Sequence, residues 1–133
     1  MRDRAACDDL ARTVVMLRAG ASRMPTVSGG VGWFGTCQWC GNKRWLQWCH
    51  IHARSTAPSL RWEPDNAFAA CAGCHLFKWH KDPSMAEEFI VGLLGREKRE
   101  ALRLRAAMRT KVDVAAMKAW LELEVGRMER RWG

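Results

Sequence analysis

CQWCG at 37–41 and CAGCHLFKWH at 71–80 each carry two cysteines separated by two residues. That spacing lets both thiolates of one turn reach a single ion about 2.3 Å away, and two such turns complete a tetrahedral shell. Cys37, Cys40, Cys71 and Cys74 therefore read as a four-cysteine site for structural Zn2+. Disulfides and a redox Cys-x-x-Cys are the competing readings. Both fit worse, because Met1 to Asp9 has no apolar leader core and no strand-helix-strand pattern surrounds either pair. The pairs stand 30 residues apart, 41 to 70, against about 15 to 20 in a plain four-cysteine ribbon. A structural insert is expected between the two metal-binding turns.

The insert is readable from its punctuation. Trp45 to Cys49 predicts a short strand, Arg54 to Pro64 a loop marked by Pro58, Ser59 and Pro64, and Ala67 to Ala70 a second strand. After Cys74, the residues Leu76, Phe77 and Trp79 cover one face of a short helix that Pro83 limits. The expected order is strand, loop, strand, helix.

Four pieces in register, CQWCG at 37–41, CHIHAR at 49–54, LRWEPDN at 60–66 and CAGCHLFKWH at 71–80, resemble the HNH endonucleases. The likeness is to the small phage and prophage type, and it spans Thr36 to Pro83. It implies an α+β fold, a small zinc-stabilised ββα-metal (His-Me finger) core wrapped by N- and C-terminal helices. It also implies a metal-dependent DNA endonuclease, a phosphodiester hydrolase. His50 would be the general base, which suits an imidazole because its ordinary pKa of about 6.5 leaves it neutral near pH 7. Asn66 would orient that base or brace its loop. His75 would bind a catalytic divalent cation, Mg2+ or another, with His80 as a further ligand, and Arg54 would contact a phosphate. Relatives of this type act in phage recombination, genome packaging or mobile elements, so a partner from one of those processes is implied.

The chain departs from that pattern at Cys49, where the family carries an acidic or histidine metal ligand. Either the Cys49 thiolate binds a soft ion in place of Mg2+, or Cys49 is a buried small hydrophobe and His52 or a water completes the shell. The second fits better, since free cysteine is among the most buried residue types. The departure also keeps open a different function, a zinc-ribbon DNA-binding or assembly factor that lacks the chemistry. The plainer structural roles are half-buried strand histidines at His50 and His52, and a turn former at Asn66.

The rest of the chain supports a polyanionic partner. It has 133 residues, a net charge of +8 and a pI of about 9.7, which suits DNA. Its length predicts a single domain, 1–133, with an N-terminal helical segment at 1–24, the zinc-bound core at 36–83 and a helical extension at 84–133. Arg96 to Lys111 holds seven basic residues against two acidic ones. On that predicted helix Arg96, Arg99 and Arg103 share a face, and Arg99 and Arg103 are candidate backbone contacts.

Further helices are predicted over Ala5 to Arg18, with a stripe of Cys7, Leu10, Val14 and Leu17, and after Ser84, which with Glu87 forms a capping box, ending near Gly95. Asp113 caps a last helix whose stripe is Val114, Met117, Leu121, Val125, Met128 and Trp132. That stripe suits packing on the domain or pairing two chains as a homodimer. Met24 to Gly35, with Pro25 and four glycines, reads as a loop. Trp33, Trp39, Trp45, Trp48, Trp62 and Trp79 are expected to pack the core. No apolar run reaches transmembrane length, so the expected setting is a reducing bacterial cytoplasm without a membrane partner.

Overall fold

The computed structural model describes residues 2–108 and 110–132, with Trp132 described by its backbone alone. Met1, Gly133 and Arg109, one of the seven cations of the predicted basic segment, lie outside the described residues, as does the Trp132 side chain of the last stripe. Among the described residues the chain is α+β. A four-stranded antiparallel sheet, in the order β1 (Ser22–Pro25), β2 (Val31–Thr36), β3 (Lys43–His50) and β4 (Ala67–Ala70), is joined by α1 (Arg2–Arg18), a π-helix (Cys74–Trp79), α2 (Pro83–Leu94), α3 (Arg96–Ala107) and α4 (Val114–Trp132).

The stretch read as a loop, 24–35, is for the most part the hairpin of β1 and β2. Its register runs from Ser22 opposite Phe34 to Pro25 opposite Val31. Only Thr26 to Gly30 turns, closed by the Thr26 N–H on the Gly30 carbonyl at 2.8 Å, with Gly29 at φ +92°. Two of the glycines that suggested a loop are packing positions. A side chain at Gly32 would meet the Trp45 ring at 3.1 Å, and one at Gly35 would meet the Ala21 backbone at 2.8 Å. Glycine in a strand serves such close approaches as readily as it serves turns.

β3 and β4 pair with Cys49 opposite Phe68 and His50 opposite Ala67. Phe68 is fully buried at the centre of the main core. Trp79 and Phe89 meet it edge-on at ring distances of 5.1 Å, while Trp39 stacks on Phe89 at 4.2 Å. Trp62 is buried and Trp33, Trp39, Trp48 and Trp79 are half-buried, whereas Trp45 is exposed on the sheet against Phe34.

α1 serves two clusters at once. Val15 and Met16 enter the main core, while Cys7, Ala11 and Val14 close a second one with Trp62 and Leu121. The stripe of α4 thus packs on α1 within the chain, and the helix is capped as read, with the Ala116 N–H on the Asp113 carboxylate at 3.1 Å. α2 is capped differently. Asp82, not Ser84, accepts the N–H groups of Ser84 and Met85, both at 3.1 Å. Pro83 lacks an N–H and has φ preset, so it takes the first helical position and moves the cap one residue upstream. Glu87 is left free for a tertiary partner.

Replacing Gly35 by Ala should destabilise the fold by about 1–3 kcal/mol, because the new methyl presses on backbone rather than on a flexible side chain. Urea unfolding reads this directly, and an unchanged midpoint would show that the hairpin does not close on Ala21.

Candidate functional site

The two cysteine turns are brought together by the sheet. Cys37 follows β2, and its turn is closed by the Cys37 N–H on the Asn42 carbonyl and the Gly41 N–H on the Cys37 carbonyl, both at 2.9 Å, with Gly41 at φ +77°. Cys71 follows β4, and Cys74 opens the π-helix. The four sulfurs all lie within 4.8 Å of one another, with Cys40 and Cys71 at 4.0 Å. Four thiolates at about 2.3 Å from a zinc stand about 3.8 Å apart at tetrahedral angles, so the donor set has the size and softness that a metal such as zinc requires.

Burial pushes the Cys37 thiol up. The N–H groups of Cys40, at 3.5 Å, and Cys71, at 3.4 Å, point at its sulfur and outweigh burial, bringing its pKa down to about 7. Cys74 is pushed up to about 12, by burial and then by hydrogen bonds within the cluster. Four sulfurs this close cannot all ionise without a cation among them.

Cys49 is no part of this set. It is 1 % exposed, burial pushes its thiol up to about 12, and its sulfur donates to the Gln47 carbonyl at 3.4 Å. It is a neutral core thiol rather than a metal-binding thiolate. His52 does not replace it as a ligand, because its Nε2 accepts the Nη1–H of Arg99 at 3.0 Å.

His75 follows Cys74 directly, and its Nδ1 donates to the Gln47 Oε1 at 2.8 Å, which leaves Nε2 unprotonated. His80 lies five residues on. In an α-helix that spacing would put it about 140° around the axis, but the wider π-helix brings it back over His75, with ring centroids 5.1 Å apart. Burial, then the neighbouring His80, lowers the pKa of His75.

His50 ends β3, half-buried and tilted against the Trp48 ring at 4.4 Å. Its Nε2 donates to the Arg61 carbonyl at 2.9 Å. A carbonyl can only accept, so the proton is on Nε2 and the Nδ1 lone pair is free. Burial lowers the pKa of His50, and the charges of Arg54 and Arg61 act the same way, against the Arg61 carbonyl and Asp8. Arg54 is exposed and forms no hydrogen bond or ion pair among the described residues.

Asn66 is fully buried and braces the loop between β3 and β4 without touching the His50 ring. Its Oδ1 accepts the His52 N–H at 2.8 Å, and its amide donates to the carbonyls of His52 and Leu60 at 3.0 and 3.1 Å.

The other candidate phosphate contacts are engaged internally. Arg99 is 7 % exposed. Its Nε and Nη2 both donate to the Glu87 carboxylate at 2.9 Å, and its remaining Nη1 goes to His52. This removes Arg99 from the surface cations available to DNA. Arg103 is exposed but pairs with Glu87 at 3.1 Å and Glu100 at 3.5 Å. Arg99 and Arg103 share a side of α3, but that side turns inward at Arg99: Arg99 and Leu102 are buried while Leu104 and Met108 are exposed, and Glu87 on α2 captures both guanidinium groups.

The structure thus groups His75 with His80, and His50 with Arg54, but gives His50 and His75 no common partner. Gln47, which holds His75, and His50 are three residues apart on β3, so their side chains leave opposite faces of the strand. Sequence reasoning missed Gln47 and the Arg61 carbonyl. Gln47 was detectable as the position sharing a strand face with Cys49, whereas a backbone acceptor leaves no trace in residue types. No protein family, curated protein or solved structure matches the chain.

Replacing Cys71 by Ser should drop bound zinc from about one ion per chain to well under that, with loss of far-UV dichroism, since structural zinc contributes folding free energy outright. Elemental analysis beside dichroism checks it, and a variant that keeps its fold without metal would refute the structural role.

A pH effect follows from His50. Its folded pKa lies below the ordinary value of 6.5, so the unfolded chain takes up the proton first, and stability is full above pH 6.5 and falls as the pH drops below it. Denaturation at pH 7.5 and 5.5 should show wild type losing more stability than His50→Gln, and equal losses would show that His50 titrates alike in both states.

Proposed function

We propose that this protein is a metal-dependent DNA endonuclease of the HNH type, hydrolysing phosphodiester bonds with His50 as general base. The observation that carries the reading is the bond from His50 Nε2–H to the Arg61 carbonyl, which leaves Nδ1 as a free acceptor at the end of β3 beside the unpaired Arg54. The four-cysteine cluster and the strand, loop, strand, helix order that suggested the family accompany it elsewhere in the chain.

In this reaction His50 Nδ1 takes a proton from a water as the water oxygen bonds to phosphorus. The bond to the 3′-oxygen breaks, and that oxygen is protonated by solvent. Because burial and the two arginines lower its pKa, His50 stays neutral and able to act over a wider range below pH 7 than an exposed imidazole. Arg54 meets the phosphate. A divalent cation would supply charge stabilisation at the phosphate and at the leaving oxygen; its candidate holders are His75, through the free Nε2, and His80, a pair that Gln47 keeps on the face of β3 opposite His50. The net charge of +8 suits DNA and gives contacts that weaken with salt. The setting is a bacterial cytoplasm, in a recombination, packaging or mobile-element role.

One observation favours a second reading, a zinc-stabilised DNA-binding factor without catalysis. Cys49, at the position where the likeness expects a charged ligand, is a buried neutral thiol.

Nicking of supercoiled plasmid with Mg2+ or Mn2+ should stop with EDTA and fall roughly 10²-fold or more in His50→Ala. Retarded DNA mobility with no cleavage by either protein would transfer the conclusion to the binding factor.

A further inference from the structure

The carbonyl that fixes His50 belongs to the peptide unit between Arg61 and Trp62. Both side chains flanking that unit end on one carboxylate, contributed by α1 from outside the segment that carries the zinc cluster and the histidines. Arg61 Nε and Nη2 donate to Asp8 Oδ1 and Oδ2 at 2.9 and 2.6 Å, and Trp62 Nε1 donates to Asp8 Oδ1 at 2.8 Å. A guanidinium gripped by both carboxylate oxygens has little freedom to turn, and Trp62 is buried besides. The peptide is therefore held at both ends.

The same α1 face continues on either side. Arg4, one turn before Asp8, stands over the Trp62 ring at 5.7 Å, and Arg12, one turn after, stands over Trp48 at 5.2 Å, the ring that touches His50.

We propose that Asp8 is a positioning residue for His50: by tethering Arg61 and Trp62 it aims the Arg61 carbonyl at Nε2, and so keeps the Nδ1 lone pair exposed. The tautomer role stands on geometry alone, while its consequence for cleavage rests on His50 being the base. Asp8 is built for the task. Burial acts to raise its pKa, and the Arg61 and Trp62 bonds outweigh burial and hold the carboxyl below its ordinary range, so that it stays ionised. The charged groups acting on His50 are Asp8 from α1 and Arg54 and Arg61 from the loop. Loss of the Asp8 charge leaves the two arginines unopposed and lowers the His50 titration midpoint.

The test is two-bond nitrogen-proton NMR of the histidine rings in the zinc-loaded full chain, alongside plasmid nicking, for wild type, Asp8→Asn and Trp62→Phe. Wild type should show the Nε2–H tautomer at His50. Asp8→Asn should populate both tautomers, titrate His50 at lower pH and, at pH 7, nick roughly tenfold to a hundredfold more slowly. Trp62→Phe, which keeps a ring and removes one of the three bonds, should show the same shift in part, and it carries the test if Asp8→Asn does not fold. An unchanged His50 tautomer and midpoint in the folded variants would overturn the proposal. A tautomer shift in a protein that cleaves nothing would uphold Asp8 as the positioning residue while removing the nuclease reading.

Discussion

Convergence of four sulfurs from two turns 30 residues apart in sequence is the constraint on which the rest of the structure depends. One turn leads into β3 and the other leaves β4, so bringing the turns together sets those strands side by side, and the loop between them becomes a closed excursion instead of an open chain. The sulfurs tolerate this proximity only if their charge is shared, which is what a metal such as zinc provides. The N–H groups of Cys40 and Cys71 aimed at Cys37 prepare the cluster for it. The same closure places His75 beside Gln47, one residue past the Cys74 sulfur.

The loop from 51 to 66 has no regular ladder of its own and is held by polar groups. Asn66 fills its centre with three hydrogen bonds, and its own carbonyl accepts the Ile51 N–H at 2.8 Å. Buried polar groups satisfied in this way rigidify a segment more than apolar contact does, because each bond has a direction. From outside, α1 presses Asp8 onto Arg61 and Trp62, and α3 sends Arg99 in to His52. Two helices that looked like peripheral wrapping therefore grip the loop that carries the candidate base.

Hydrogen bonding rather than burial divides the cysteines by role. Cys7 and Cys49 sit in apolar surroundings with raised pKa values and act as small core residues. Cys37, equally hidden from solvent, is drawn the other way by the N–H groups around it. Identical side chains that are similarly hidden from solvent thus differ in chemistry according to whether the N–H groups facing the sulfur outweigh its burial, as they do at Cys37 and do not at Cys49.

The sequence by itself determined the four-cysteine cluster, the strand, loop, strand order of the insert with a short helix after it, the apolar stripe of α4 and the Asp113 cap, while the packing of that stripe on α1 came from the structure. What the sequence determined rests on spacing and periodicity, which act over a few residues and survive any arrangement of the whole. Only the tertiary structure decided the rest. Gly32 and Gly35 are strand positions because Trp45 and Ala21 come close to them. Arg99 is buried because Glu87 meets it from another helix. His80 stands over His75 because one helical turn is wound wider than usual. The Arg61 carbonyl orients His50 because Asp8 arrives from 53 residues away. Each of these is a contact between segments distant in the chain, and residue type alone carries no record of which surface it will meet.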